Sequence, residues 1–326
     1  MFFSLKTTAT LLLLAATGAA HAQAQAPKDY PNKPIKMVVS FPPGGPTDNS
    51  IRMIAEKLGE LLKQSVFVEN KAGAAGNLGA QTVATAAPDG YTFLVTSSAY
   101  AVNPSLYGAK AGYNPDKDFT PVITLSTQPN VISVNEKVPV NNLAELKVYA
   151  ANNKASFSTP GSGTTPHLTC ENIFRVLWKS DIVHVPYKGA GPASLAVLSG
   201  ETPVGCTAAF GVYQFAKQGK VKILGISSEK RLASLPDVPT FAELGYAGIN
   251  DYTWTTVFAP AGTPTAVIDK MNRAMNQILD MPEFKAKFDK GGLQTVGGTP
   301  AETAAYITSE IAHWGKIVKS TGAKAD

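Results

Sequence analysis

The chain is short of the residues that usually carry chemistry. Its 326 residues include 2 cysteines, 4 histidines and 3 tryptophans, and only 16% are charged. Two cysteines without Cys-x-x-Cys spacing or a nearby histidine pair exclude a zinc centre, and neither a metal nor a cofactor is expected. Whether Cys170 and Cys206 pair with each other stays open, because pairing depends on how close their Cα atoms lie. There is no His-Glu-x-x-His, no Walker A loop and no Gly-x-Gly-x-x-Gly, and Gly73, Gly76 and Gly79 are wrongly spaced for a dinucleotide. Ser162 lies in Pro-Gly-Ser-Gly-Thr, with Pro160 where a nucleophile elbow needs glycine. The chain is therefore not expected to be an enzyme. A hydrolase or isomerase using Ser162 or His167 is the weaker alternative. The formal charge of +5 is spread along the chain without a dense basic run, which excludes a nucleic-acid partner but suits anionic solutes. Beyond the first 26 residues, no segment has the roughly 18 consecutive apolar residues needed to cross a bilayer.

Those first 26 residues read as a cleavable export signal. Lys6 supplies the positive start and Leu11 to Ala20 the short apolar stretch. Ala20-His21-Ala22 and the two overlapping Ala-x-Ala triplets after it offer cleavage sites. The mature protein is thus expected to work as a soluble monomer in the periplasm.

Strand-like and helix-like stretches then alternate almost to the end of the chain. Ile35 to Ser40, Gln64 to Glu69 and Tyr91 to Thr96 read as strands, and Ile51, Ile54, Ala55, Leu58, Leu61 and Leu62 share one face of an intervening helix. A second cycle starts near Val131, with Val221 to Ile226 as a candidate return strand, and three helices close the chain. The expected fold is α/β with two lobes, each a mostly parallel sheet flanked by helices. Residues 27–127 and 252–326 would form a discontinuous first lobe and 128–251 the second, with ligands bound in the crevice between them.

Four loops after strands carry small or polar groups. The first, Phe41 to Asp48, places Gly44 and Gly45 before a helix that opens with Thr47 and Asp48, and its free amide groups form an anion site. The second is Ser97-Ser98-Ala99-Tyr100. The third, Thr159 to His167, repeats the logic of the first with Ser162, Gly163, Thr164 and Thr165, and His167 reads as an orienting residue. The fourth carries Lys188. Thr207 ends a later strand, and Trp254 lies on the expected return to the first lobe, either as core or as the floor of a ligand site.

These segments resemble the tripartite tricarboxylate transporter receptors, the Bug or TctC family of extracytoplasmic solute-binding proteins. The similarity covers the whole mature chain. It includes Tyr30-Pro31-x-Lys33-Pro34, the Phe41 to Asp48 loop, Val68 to Gly79, Ala87 to Tyr91, Gly161-Ser-Gly-Thr-x-x-His167, His184 to Gly189, Leu235 to Thr240 and Ala259 to Pro264. The resemblance implies a Venus-flytrap receptor that delivers its ligand to membrane transporter subunits, with a sensing subunit as the alternative. It also implies that backbone groups at Phe41, Gly44, Gly45, Ser162, Gly163, Thr164 and Thr165 grip one carboxylate. Family members commonly place an aspartate where this chain has Thr207. Its absence argues against an amino-bearing ligand and for a mono- or dicarboxylate, aromatic ones included.

Overall fold

A computed structural model describes residues 29–325. The expected export signal lies outside the described residues. Ten strands and ten helices follow in order, with short 3₁₀ and π turns between some of them. The first third comprises β1 (Ile35–Val39), α1 (Pro46–Leu62), β2 (Val66–Asn70), α2 (Asn77–Ala84), β3 (Thr92–Ser97) and α3 (Ala99–Tyr107). The middle comprises β4 (Phe119–Asn135), α4 (Leu143–Asn152), β5 (Ser156–Thr159), α5 (Thr165–Glu171), β6 (Val183–Pro186), α6 (Ala190–Ser199), β7 (Val204–Ala208), α7 (Ala209–Lys217) and β8 (Val221–Ile226). The chain ends with β9 (Tyr252–Pro260), α8 (Thr265–Leu279), α9 (Pro282–Lys290), β10 (Gln294–Gly297) and α10 (Pro300–Thr321).

One strand belongs to both lobes. From Phe119 to Pro129, β4 pairs with β9, and from Asn130 to Asn135 it pairs with β7 and β8. The first sheet runs β2-β1-β3-β9-β4, with β10 on β4, and the second runs β4-β7-β5-β6, with β8 on β4. The expectation of mostly parallel sheets is corrected. The strands β1, β2 and β3, like β5, β6 and β7, pair in parallel, whereas every contact of β4 and β9 is antiparallel. Strands that cross between lobes must run outward and back, so they oppose their neighbours. The candidate return strand is also corrected. Val221–Ile226 stays in the second sheet as β8, and β9 is the return.

Both faces of each sheet are covered, as alternating side chains require. In the first lobe Met37, Phe93 and Val257 pack under α1, α8 and α9, while Val38, Leu94 and Phe258 pack beneath α2, α3 and α10. The amphipathic stripe of α1 buries Ile51, Ile54, Leu58 and Leu62, and α10 starts at a capping box between Thr299 and Glu302. In the second lobe Phe157, Phe174, Trp178 and Phe241 fill one face, and Val131, Val212 and Ile226 fill the other. A disulfide joins Cys170 on α5 to Cys206 on β7, with Cα atoms 6.4 Å apart, which settles the question left open by the sequence. None of the described helices is long and apolar enough to cross a membrane.

Candidate functional site

Each parallel strand of an α/β unit hands the chain to a helix whose N-terminus lies at the strand's carboxyl end. Here five of these junctions meet. The N-cap residues of α1, α3, α5, α6 and α7 are Gly45, Ser98, Thr164, Gly189 and Ala208. All five line one chamber between the lobes, of about 50 Å³. The first N–H groups of a helix have no partner within it, and aligned peptide dipoles give that end partial positive charge. Prolines thin out the donors. Pro46 takes the first position of α1 and Pro166 the second of α5, leaving the amides of Thr47, Asp48, Thr165 and His167 at those two mouths. Among the described residues, no lysine, arginine, histidine, aspartate or glutamate lines the chamber. Its polarity comes from amide groups and hydroxyls.

The two main mouths are built alike. In the first loop the Gly44 N–H donates to Asp48 Oδ2 at 2.9 Å, and in the third the Gly163 N–H donates to His167 Nδ1 at 3.2 Å. Each bond folds the glycine turn onto the side chain four residues later. Both glycines have positive φ, 84° and 87° respectively, a conformation that L-residues with side chains rarely adopt. Asp48 is held in turn by Arg52 Nε at 2.8 Å and Asn70 Nδ2 at 2.9 Å. His167 is 3.7 Å from Glu171, which pairs with Arg175. Burial pushes the Glu171 carboxyl up, but its bond with His167 and the nearby charges outweigh that and leave it below the usual carboxylate range.

Three hydroxyls close the inner wall. Ser98 Oγ lies 2.7 Å from Thr165 Oγ1, which lies 2.8 Å from Thr253 Oγ1. Ser98 and Thr253 belong to the first lobe and its crossing strand, Thr165 to the second, so these contacts bridge the lobes. Outside the chamber is a larger pocket of about 470 Å³ that shares Phe41, Pro42, Pro160 and Gly189 with it.

Of the residues singled out from sequence, Phe41, Gly45, Thr47, Ser97, Ser98, Thr164 and Thr165 line the chamber. Gly44 and Gly163 shape the turns, with their N–H groups already used. Ser162 and Lys188 line the outer pocket. His167 is buried and orients the Gly163 turn. Three expectations are corrected. Tyr100 is buried in an aromatic cluster with Tyr113, Phe119 and Phe258, and its hydroxyl donates to the Pro115 carbonyl. Trp254 is fully buried, and its indole N–H donates to Glu310 at 2.9 Å. The buried Thr207 hydroxyl has no hydrogen-bond partner among the described residues, and its neighbour Ala208 lines the chamber instead. Sequence reasoning also missed Thr253, Gly189, Ala190 and Gly191, all in the chamber wall. The glycine-rich start of α6 was a readable signal that the nearby lysine overshadowed.

An α/β protein with two lobes joined by crossing strands, and with helix N-termini converging on the cleft, is a solute-binding receptor in architecture. The chain belongs to the tripartite tricarboxylate transporter receptor family, whose profile matches residues 50–323. It is 36% identical over 299 residues to protein BugT of Bordetella pertussis, covering 90% of this chain and 91% of that one. Among solved structures, an R. palustris protein with adipate superposes with a TM-score of 0.86 at 32% identity, covering 90% of this chain and 99% of that one. MatC from Rhodopseudomonas palustris, with bound malate, gives 0.83 at 32% identity, covering 89% and 100%.

Proposed function

We propose that this protein captures a small organic carboxylate between its lobes and delivers it to a membrane transporter of the tripartite tricarboxylate type. The supporting observation is the convergence of five helix N-termini on a chamber without ionisable side chains. Such a chamber favours a negative charge through fixed dipoles and free amides, with no counter-cation needed. A volume of about 50 Å³ fits a carboxylate group and its adjoining carbon, and the rest of the ligand extends into the outer pocket past Phe41 and Gly189. Lys188 stands there to meet a second acidic group. Relatives in this family solved with adipate and malate are consistent with this reading. The protein would act as a monomer, and residues 1–26 would direct it to the periplasm.

Closure of the lobes completes the site, because each supplies part of the donor set. Binding to the closed form raises stability by mass action. The test is a thermal-shift panel of mono- and dicarboxylates against amines and neutral analogues. Stabilisation by carboxylates alone is expected; stabilisation by amines alone overturns the reading.

A further inference from the structure

The hydroxyls of the inner wall belong to a longer chain of hydrogen bonds, and its direction is fixed at the far end. Thr169 Oγ1 donates to the carboxylate of Asp251 at 2.8 Å, and an ionised carboxylate only accepts. With its hydrogen spent, Thr169 can only accept from Asn130, so the Asn130 amide must turn its Nδ2 toward Thr169, at 2.9 Å. Asn130 Oδ1 then faces Thr253 and accepts its hydrogen at 2.8 Å. Thr253 has none left, so Thr165 donates to Thr253. By the same logic Ser98 donates to Thr165. Every hydroxyl hydrogen along this line is spent toward Asp251. The three hydroxyls of the chamber wall are therefore left with lone pairs only, two on Ser98 and one each on Thr165 and Thr253.

We propose that Asp251 is a positioning residue that makes this wall of the chamber hydrogen-accepting, and that the site consequently selects 2-hydroxycarboxylates over their deoxy counterparts. The proposal rests on the carboxylate reading above and deepens it. The amides at the α1 and α5 mouths take the carboxylate. The hydroxyl on the adjoining carbon donates to Ser98, Thr165 or Thr253. A methylene in the hydroxyl's place offers those lone pairs no hydrogen and displaces what would otherwise solvate them.

The test uses matched pairs in calorimetric titrations: glycolate with acetate, lactate with propionate, malate with succinate. For pairs that bind, the wild-type protein is expected to favour the hydroxy acid at least tenfold. Asp251→Ala removes the acceptor, so the Thr169 hydroxyl turns to Asn130, the amide flips and the chain reverses. The preference is expected to fall at least fivefold, although residue 251 does not touch the ligand. Ser98→Ala removes the chamber end of the chain and is expected to lower the ratio with the melting temperature kept, which guards against poor folding of the first variant. Equal affinity for hydroxy and deoxy acids in the wild type, or an unchanged ratio in Asp251→Ala, overturns the inference while the carboxylate reading stands. If none of these or the panel carboxylates binds, both fall together.

Discussion

The mouths of α1 and α5 solve one problem with different electrostatics. Each has a glycine with positive φ whose N–H is fastened to the third residue of the following helix, Asp48 in one and His167 in the other. At the first mouth that residue is a buried carboxylate, a negative charge beside a site proposed for an anion. Arg52 and Asn70 answer it from behind. At the second mouth the fastening group is an imidazole, and the carboxylate, Glu171, stands one turn further away with Arg175. The first mouth thus depends on charge compensation and the second does not. The two also differ in anchoring. Only α5 is tied covalently to its sheet, through Cys170–Cys206, whereas hydrogen bonds hold both helices, Ser50 of α1 to Ser126 on β4 and Thr169 of α5 to Asp251 just before β9.

The largest effect is expected from placing a charge in either mouth. Gly45 has φ of −80°, and a Cβ there would meet nothing closer than the Pro42 carbonyl at 3.8 Å. Gly45→Asp should therefore fold, and aspartate is a favoured N-cap. Its carboxylate would take the same amides as the ligand. Carboxylate affinity is expected to fall more than a hundredfold while the melting temperature of the empty protein is kept or raised. Thr164→Asp should do the same at the second mouth, and Gly45→Ala should stay within about threefold. A normal titration of either aspartate variant would show that its mouth is not part of the site.

Next is the covalent tie. Cys170 and Cys206 are separated by 36 residues, and closing such a loop stabilises a fold by about 2–4 kcal/mol. The double Cys→Ala variant should lose that much in urea unfolding, with the first-lobe fluorescence of Trp254 and Trp314 changing last. Simultaneous loss of all signals would mean that the lobes do not unfold separately.

The charge-compensation difference itself can be tested with two arginines. Removing Arg52 leaves the Asp48 carboxylate behind the α1 mouth with less compensation, and ligand affinity is expected to weaken about tenfold, more at low salt. Arg175→Ala at the second mouth should change affinity by less than threefold. Equal effects would erase the distinction.

Both mouths were legible in the sequence because their signals are local: glycines, hydroxyls and a proline within eight residues. The other chamber residues were harder to place. The fourth loop and two positions on β7 and β9 were each read one residue off. Trp254 stood for Thr253, Thr207 for Ala208 and Lys188 for Gly189. In a strand, neighbouring side chains point to opposite faces, so an error of one residue exchanges the chamber for the core. Only packing fixes that parity, and for Trp254 the packing comes from Glu310 and Tyr306 on the last helix. The long strand β4 escaped notice for another reason. It contains Pro121 and Pro129, and its register slips between Pro121 and Ile123. Proline within a strand usually marks an edge or a bulge. The hydrogen-bond chain from Ser98 to Asp251 joins residues up to 123 positions apart, and no local pattern announces it.

The smallest expected effect concerns the anchoring of the second mouth and its pH dependence. Asp251, which holds Thr169 of α5, faces His313 Nε2 of α10 at 3.2 Å. The hydrogen bond to Asp251 raises the His313 pKa above its ordinary 6.5, with burial opposing and the charges of Asp251 and Glu310 assisting. A histidine whose pKa is raised by folding stabilises the fold in its protonated form. That contribution is fully present below about pH 6.5 and is lost as pH rises through the higher folded value. His313 is 43% exposed, so solvent screens the pair and the gain is small. The melting-temperature difference between wild type and His313→Gln should be largest near pH 5.5 and shrink toward pH 9. Because Asp251 accepts hydrogens whether His313 is charged or neutral, the hydroxy-acid preference should not follow this titration. A preference that vanished between pH 6 and 8 would mean that the charge of His313, and not the carboxylate beside it, orders the chain.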